Sequence, residues 1–135
     1  MTVKQWLWRY SNADHKIESL LRERQDAYDR LVKITAALDG DSVSSTKDPH
    51  KFDELAELDI FIRQRVAQSM AIRLEITTAI DELEDWRHRE ILTYRYINGY
   101  TWEQVADAVY ITRRHATRLH GDALIALGKI IADKL

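Results

Sequence analysis

The chain has 135 residues, enough for one domain or one small domain with an extension. Hydrophobic residues make up 45% and charged residues 31%, and there is no cysteine, so disulfides and thiolate metal sites are excluded. No apolar run approaches the ~18 residues of a membrane span and the N-terminus has no basic-then-apolar leader pattern, which leads us to expect a soluble, cytoplasmic protein. The net charge of −2 argues against a protein that coats nucleic acid along its whole surface. That charge is unevenly spread. Residues 1–85 carry 12 Lys/Arg against 17 Asp/Glu, whereas residues 86–135 carry 8 against 5. Arg87, Arg89, Arg95, Arg113, Arg114 and Arg118 account for most of that excess, so only the second part is suited to an anionic partner.

With one Pro and four Gly, the sequence favours long helices. From Val3 to Leu38 apolar residues recur in steps of three and four: Val3, Trp6, Tyr10, Ala13, Ile17, Leu20, Ala27, Leu31, Ile34 and Leu38. This predicts one long helix with a heptad seam, interrupted by Arg24. Trp6, Trp8 and Tyr10 lie on more than one face of that helix, more than one seam buries, and a second chain is expected to cover the surplus. Asp39-Gly40-Asp41 supplies a helix stop, and the turn-rich stretch 39–50 reads as a flexible loop. A second run follows through Leu55, Leu58, Ile62, Val66, Ile76, Ile80 and Leu83, weakened by Ser69 and Arg73. Two such helices are expected to fold back as an antiparallel, coiled-coil-like hairpin over residues 1–85, also a candidate oligomerisation segment. Glu82, Glu84 and Asp85 read as a solvated helix face.

From Trp86 the pattern shortens. A helix through Ile91, Leu92, Tyr96 and Ile97, either separate or continuing the previous one, ends at Asn98-Gly99. Thr101 and Gln104 then match a capping box, and Trp102, Val105, Ala106 and Val109 give one buried face of a two-turn helix. Tyr110-Ile111 makes a turn. Thr112 caps a last helix whose inward face is Ala116, Leu119, Ala123 and Leu127, while Arg113, Arg114, Thr117 and Arg118 face outward in its first turns. Trp86 and Trp102 are expected as core anchors of this 86–135 tail, and His120 as a partly buried helix residue.

The fold expected is therefore all-α, a long antiparallel hairpin followed by a helix-turn-helix. In such a motif the last helix, here 112–127, presents its N-terminal turns to base edges in the major groove. Arg suits guanine O6/N7 and phosphate because its planar fork donates two parallel hydrogen bonds. Arg113, Arg114, Thr117 and Arg118 on the outer face are thus placed toward DNA, with Thr112 at the start of their helix and His115 near a phosphate. His115 and His120 are five residues apart rather than four, and no nearby carboxylate completes a ligand set, so no metal is expected. No nucleophile elbow, Ser/His/Asp grouping or glycine-rich phosphate loop occurs, so neither catalysis nor a cofactor is expected.

Leu92, Arg95-Tyr96-Ile97, Gly99, Thr101-Trp102-Glu103, Val105-Ala106, Thr112-Arg113-Arg114, Arg118, His120 and Ala123-Leu124 together resemble the region-4-like helix-turn-helix of bacterial sigma factors. The stretch looks still more like phage-encoded late-gene regulators of the ArpU and RinA type. It departs from them at Tyr110-Ile111, where relatives more often place Gly or a small polar residue. The resemblance covers about the last 50 residues, and it implies Arg113, Arg114, Thr117 and Arg118 as the DNA-contacting set, with Thr101 and Trp102 near the DNA backbone. It implies a sequence-specific regulator of phage late genes acting on double-stranded DNA in the bacterial host cell near its nucleoid, with RNA polymerase as a further partner, while a homodimer is expected from the surplus apolar surface of the hairpin. Two other readings fit the residues: a DNA-packaging component like a small terminase subunit, and a helical interaction module that does not bind DNA. The first is disfavoured because such subunits place the DNA-binding part first.

Overall fold

The structure, a computed structural model, describes residues 1–37 and 52–135. The expected loop at 39–50 and the helix stop at Asp39-Gly40-Asp41 lie outside the described residues. The fold is all-α, with no strand among the described residues. It comprises α1 (Val3–Ala37), α2 (Asp53–Asp81), α3 (Trp86–Leu92) running into a π-helical turn (Thr93–Ile97), α4 (Trp102–Val109), α5 (Arg113–Ile130) and a short 3-10 turn (Ala132–Lys134).

Packing groups the chain into two compact units, Met1–Ala13 with Ser69–Leu135, and Asp14–Gln68. In the Asp14–Gln68 unit, Arg24 pairs with Asp59 and Arg30 with Glu54, so the two helical segments run antiparallel. The polar interruption of the α1 seam thus has a defined partner: the Arg24 guanidinium donates to the Asp59 carboxylate. Among the described residues only Ile17, Ala27 and Leu58 are buried there, and Ile34 and Val66, expected in the seam, are exposed.

The other unit is built around two apolar clusters. The larger unites Trp6 and Leu7 of α1 with Ile76, Ala79 and Ile80 of α2, Leu83, Leu92, Tyr96, and Ala123, Leu127 and Ile131 at the end of the chain. The smaller joins Ile91, Val105, Val109 and Leu119. Residues 85 and 86 mark a break between elements and not a break in packing, since Leu83 and Leu92 share one cluster. α2 and α3 are separate helices. Asp85 caps α3 by accepting from the Arg87 amide at 2.9 Å, and Arg89 donates to the carbonyls of Leu83 and Glu84 at 2.6 and 3.0 Å. The Arg87 amide bond to Asp85 also holds its carboxyl below the usual carboxylate range.

Two expectations are corrected. The N-terminal aromatics need no second chain. Trp6 is 1% exposed, and Trp8 sets its ring edge-on to Tyr96 at 4.9 Å. Trp86 is no core anchor, being 54% exposed. Once Asp85 fixes the start of α3, Ile91 and Leu92 turn inward, and a residue five to six positions earlier falls on the opposite side of a 3.6-residue helix.

α4 ends on Tyr110, whose φ of 59° and ψ of 42° place it in the left-handed region. A side chain with a Cβ is strained there by roughly 1–2 kcal/mol, and this one is 94% exposed, so little packing offsets the strain. Tyr110→Gly is expected to raise unfolding stability by about 1 kcal/mol, partly offset by the freer unfolded chain. Urea or thermal denaturation measures this, and a loss of stability would refute the strain argument.

Candidate nucleic-acid interface

Helix α4 starts as its sequence demands. The Thr101 hydroxyl accepts from the Gln104 amide at 3.2 Å, and the Gln104 side chain accepts from the Thr101 amide at 2.9 Å. Val105, Ala106 and Val109 then face inward. After Tyr110 reverses the chain, Thr112 caps α5 by accepting from the His115 amide at 3.1 Å. Ala116, Leu119, Ala123 and Leu127 are buried, as the periodicity predicted, and His120 joins them.

This inward face leaves the opposite one to solvent. Arg114 and Arg118, one turn apart, have no hydrogen-bond or ion-pair partner among the described residues. With Thr112 and His115 they line a shallow polar groove at the start of α5. Arg113 reaches Glu103 at 3.7 Å, both side chains well exposed. Such a pair contributes less than about 1 kcal/mol and is readily exchanged for a phosphate. The exposed Thr117 hydroxyl donates to the Arg113 carbonyl at 2.9 Å. The positive end of the α5 dipole lies under these groups and favours anions.

The other three arginines of the tail do different work. Arg87 pairs with Asp85, and Arg89 closes the α2–α3 junction. Arg95 donates to the Tyr100 carbonyl at 2.9 Å while its guanidinium sits over Trp102 at 4.9 Å and Trp8 at 5.5 Å. Trp102 is half-buried, its ring held between Arg95 and the edge of His120 at 4.6 Å. The expected site residues thus divide by setting: Arg113, Arg114, Thr117 and Arg118 stand on the outer face of α5, Thr101, Thr112 and His115 at helix starts, and Trp102 against the scaffold. Sequence reading missed Arg95 as a clamp. Its only signal was an Arg spaced between aromatic residues of distant segments.

Beneath Trp102 lies a buried pair, Tyr96 Oη and His120 Nε2, 2.8 Å apart. Burial lowers the His120 pKa to about 4, with the nearby Lys4 and Arg95 cations acting in the same direction. Burial also raises the Tyr96 pKa to about 12. Both are neutral at pH 7, which suits a hydrogen bond inside an apolar core.

The short capped α4, its left-handed turn and the outward arginines of α5 define a DNA-binding helix-turn-helix fold. Residues 79–128 match the family Sigma-70, region 4, so this segment is similar to that family's domain. No curated protein and no solved structure matches the chain. No helix among the described residues is long and apolar enough to cross a membrane, and no cluster among them brings together three metal-ligating side chains.

The depressed His120 pKa fixes a pH dependence. In the unfolded chain His takes up a proton near pH 6.5, in the folded chain only near pH 4. Between these values the unfolded state binds more protons, so stability is full above about 6.5 and falls as the pH drops toward 4. His120→Gln is expected to flatten that part of a plot of Tm against pH. A wild-type slope retained in H120Q would assign the effect to other groups.

Proposed function

We propose that the protein is a sequence-specific double-stranded-DNA-binding transcription regulator, with α5 in the major groove. The observation that carries this reading is the pair Arg114 and Arg118, exposed and unpartnered among the described residues, on one face at the start of a capped helix. Arg113, Thr117, Thr112 and His115 complete the contact set on α5, with Thr101 and Trp102 at the start of α4 nearest the sugar-phosphate backbone. The absence of internal partners matters energetically. A guanidinium engaged in a buried ion pair would have to give it up on binding, whereas these exchange only water and counterions. Regulation of phage late genes, with RNA polymerase as a further partner, belongs to this reading through the residue likeness in 92–124. The working division is residues 86–135 on DNA, with the α1 segment up to Ala13 completing their core, and the 1–85 hairpin for association.

Duplexes recovered by the protein from a randomised pool serve as the probe. Arg114→Ala and Arg118→Ala are each expected to weaken binding roughly 5- to 150-fold, the span of one good base contact. An arginine that instead grips a phosphate lowers the slope of log affinity against log salt by about 1 when replaced by Ala. Affinity unchanged in the R114A/R118A double variant would remove the reading.

A homodimer is part of the proposal. Among its described residues the Asp14–Gln68 unit exposes more large apolar side chains than it buries, and Leu21, Tyr28 and Val32 of α1 fall on one stripe at i, i+7 and i+11. Sedimentation equilibrium is expected to give twice the chain mass, dropping to one chain mass for a Leu21→Glu, Tyr28→Glu double variant. A wild-type monomer refutes the dimer, and a ring of eight or more supports a packaging role instead.

A further inference from the structure

Three glycines fall among the described residues, and two have an internal reason. Gly99 adopts a φ of +72°, the left-handed turn after Ile97, where a side chain is strained. At Gly128 an added Cβ would stand 3.2 Å from Val3 Cγ2, so α1 and α5 approach closely there. Gly121 has neither reason. It lies in the middle of α5 with no positive φ, it is exposed, and a Cβ built on it meets nothing within 4 Å. A glycine in an exposed helix interior is among the least favourable choices for the helix, and nothing inside the molecule compensates for it.

Its place on the helix supplies the reason. Arg114, Arg118 and Gly121 stand at i, i+4 and i+7, and Arg113, Thr117 and Gly121 at i, i+4 and i+8, so both outward rows converge on it. Along the second of these rows the side chains shorten from arginine through threonine to none at all. The neighbouring Asp122 is rotated about 100° away from Gly121. We infer that Gly121 is the point of closest approach between α5 and DNA, where the helix backbone rests directly against the groove wall. Without a Cβ, the helix sinks far enough for Arg114 and Arg118 to reach base edges, and the energy forgone in helix propensity is recovered in those contacts. This inference rests on the proposed DNA-binding reading and adds a residue that the expected contact set omitted.

Gly121→Ala and Gly121→Leu test it, since both residues are strong helix formers placed in open space. Each is expected to raise Tm of the free protein by a few degrees. Against a duplex selected by the wild-type protein, G121L is expected to bind at least tenfold more weakly, G121A less so, both with the salt slope of wild type. G121L affinity within twofold of wild type, alongside weakened R114A and R118A, overturns the role of Gly121 and leaves the DNA-binding reading standing. Loss of thermal stability in G121A and G121L would overturn it by showing an internal role. Failure of wild type and every variant alike to retain any duplex would bring down both.

Discussion

The position of α5 is the constraint on which the rest of the structure depends. One side of this helix enters both apolar clusters, through Leu119 in the smaller and Ala123 and Leu127 in the larger. A helix gripped on one side at two places along its length cannot roll, so the direction of its outer arginines is set by apolar packing on the inner side. Small residues at Ala116 and Ala123 let neighbouring helices come close. The larger Leu119 and Leu127 lock between them.

The clamp around Arg95 adds to this grip. Its guanidinium lies over Trp8 of α1 and Trp102 of α4 while bonding to the Tyr100 carbonyl ahead of α4. Tyr94 and Tyr100 stack nearly parallel with ring centres 5.2 Å apart, closing the same turn. The start of α4 is thereby fixed against α1 and the π-helical turn, and the angle between α4 and α5 has little freedom left. The tail's arginines serve two ends, three tying the scaffold together and three left outside it.

Much of this was legible in the residues because it is written locally. Thr101 with Gln104, Thr112 before Arg113, and Asn98-Gly99 mark helix ends by backbone chemistry within a few positions, and α4 and α5 begin where those signals say. The three- and four-residue spacing likewise gave the inner face of α5. What failed was partly local and mostly long-range. Asp85, read with Glu82 and Glu84 as a solvated helix face, is instead the cap that sets the α3 register and turns the Trp86 ring outward. Nothing near Trp6, Trp8 and Tyr10 reveals that Leu83, Tyr96 and Leu127, some 75 to 120 residues away, share their core. Counted on their own helix those aromatics look surplus. Leu7 lies off the heptad seam, on the side that meets the distant segments, so the spacing alone does not single it out. His120 could be placed inward from spacing alone, but its partner Tyr96 could not.

The compact unit that carries the helix-turn-helix is assembled from two segments separated in sequence, Met1–Ala13 and Ser69–Leu135. During synthesis Trp6 and Leu7 leave the ribosome well before the residues that cover them, which extend to Ile131. The first two turns of α1 therefore carry an uncovered aromatic surface until those distant segments emerge. Closing the intervening length of chain is a step whose entropic cost grows only slowly with loop length. Native contacts of such wide sequence separation place this unit among the slower-assembling helical folds. A nascent chain arrested before residue 131 would hold the reading helix without its final wall.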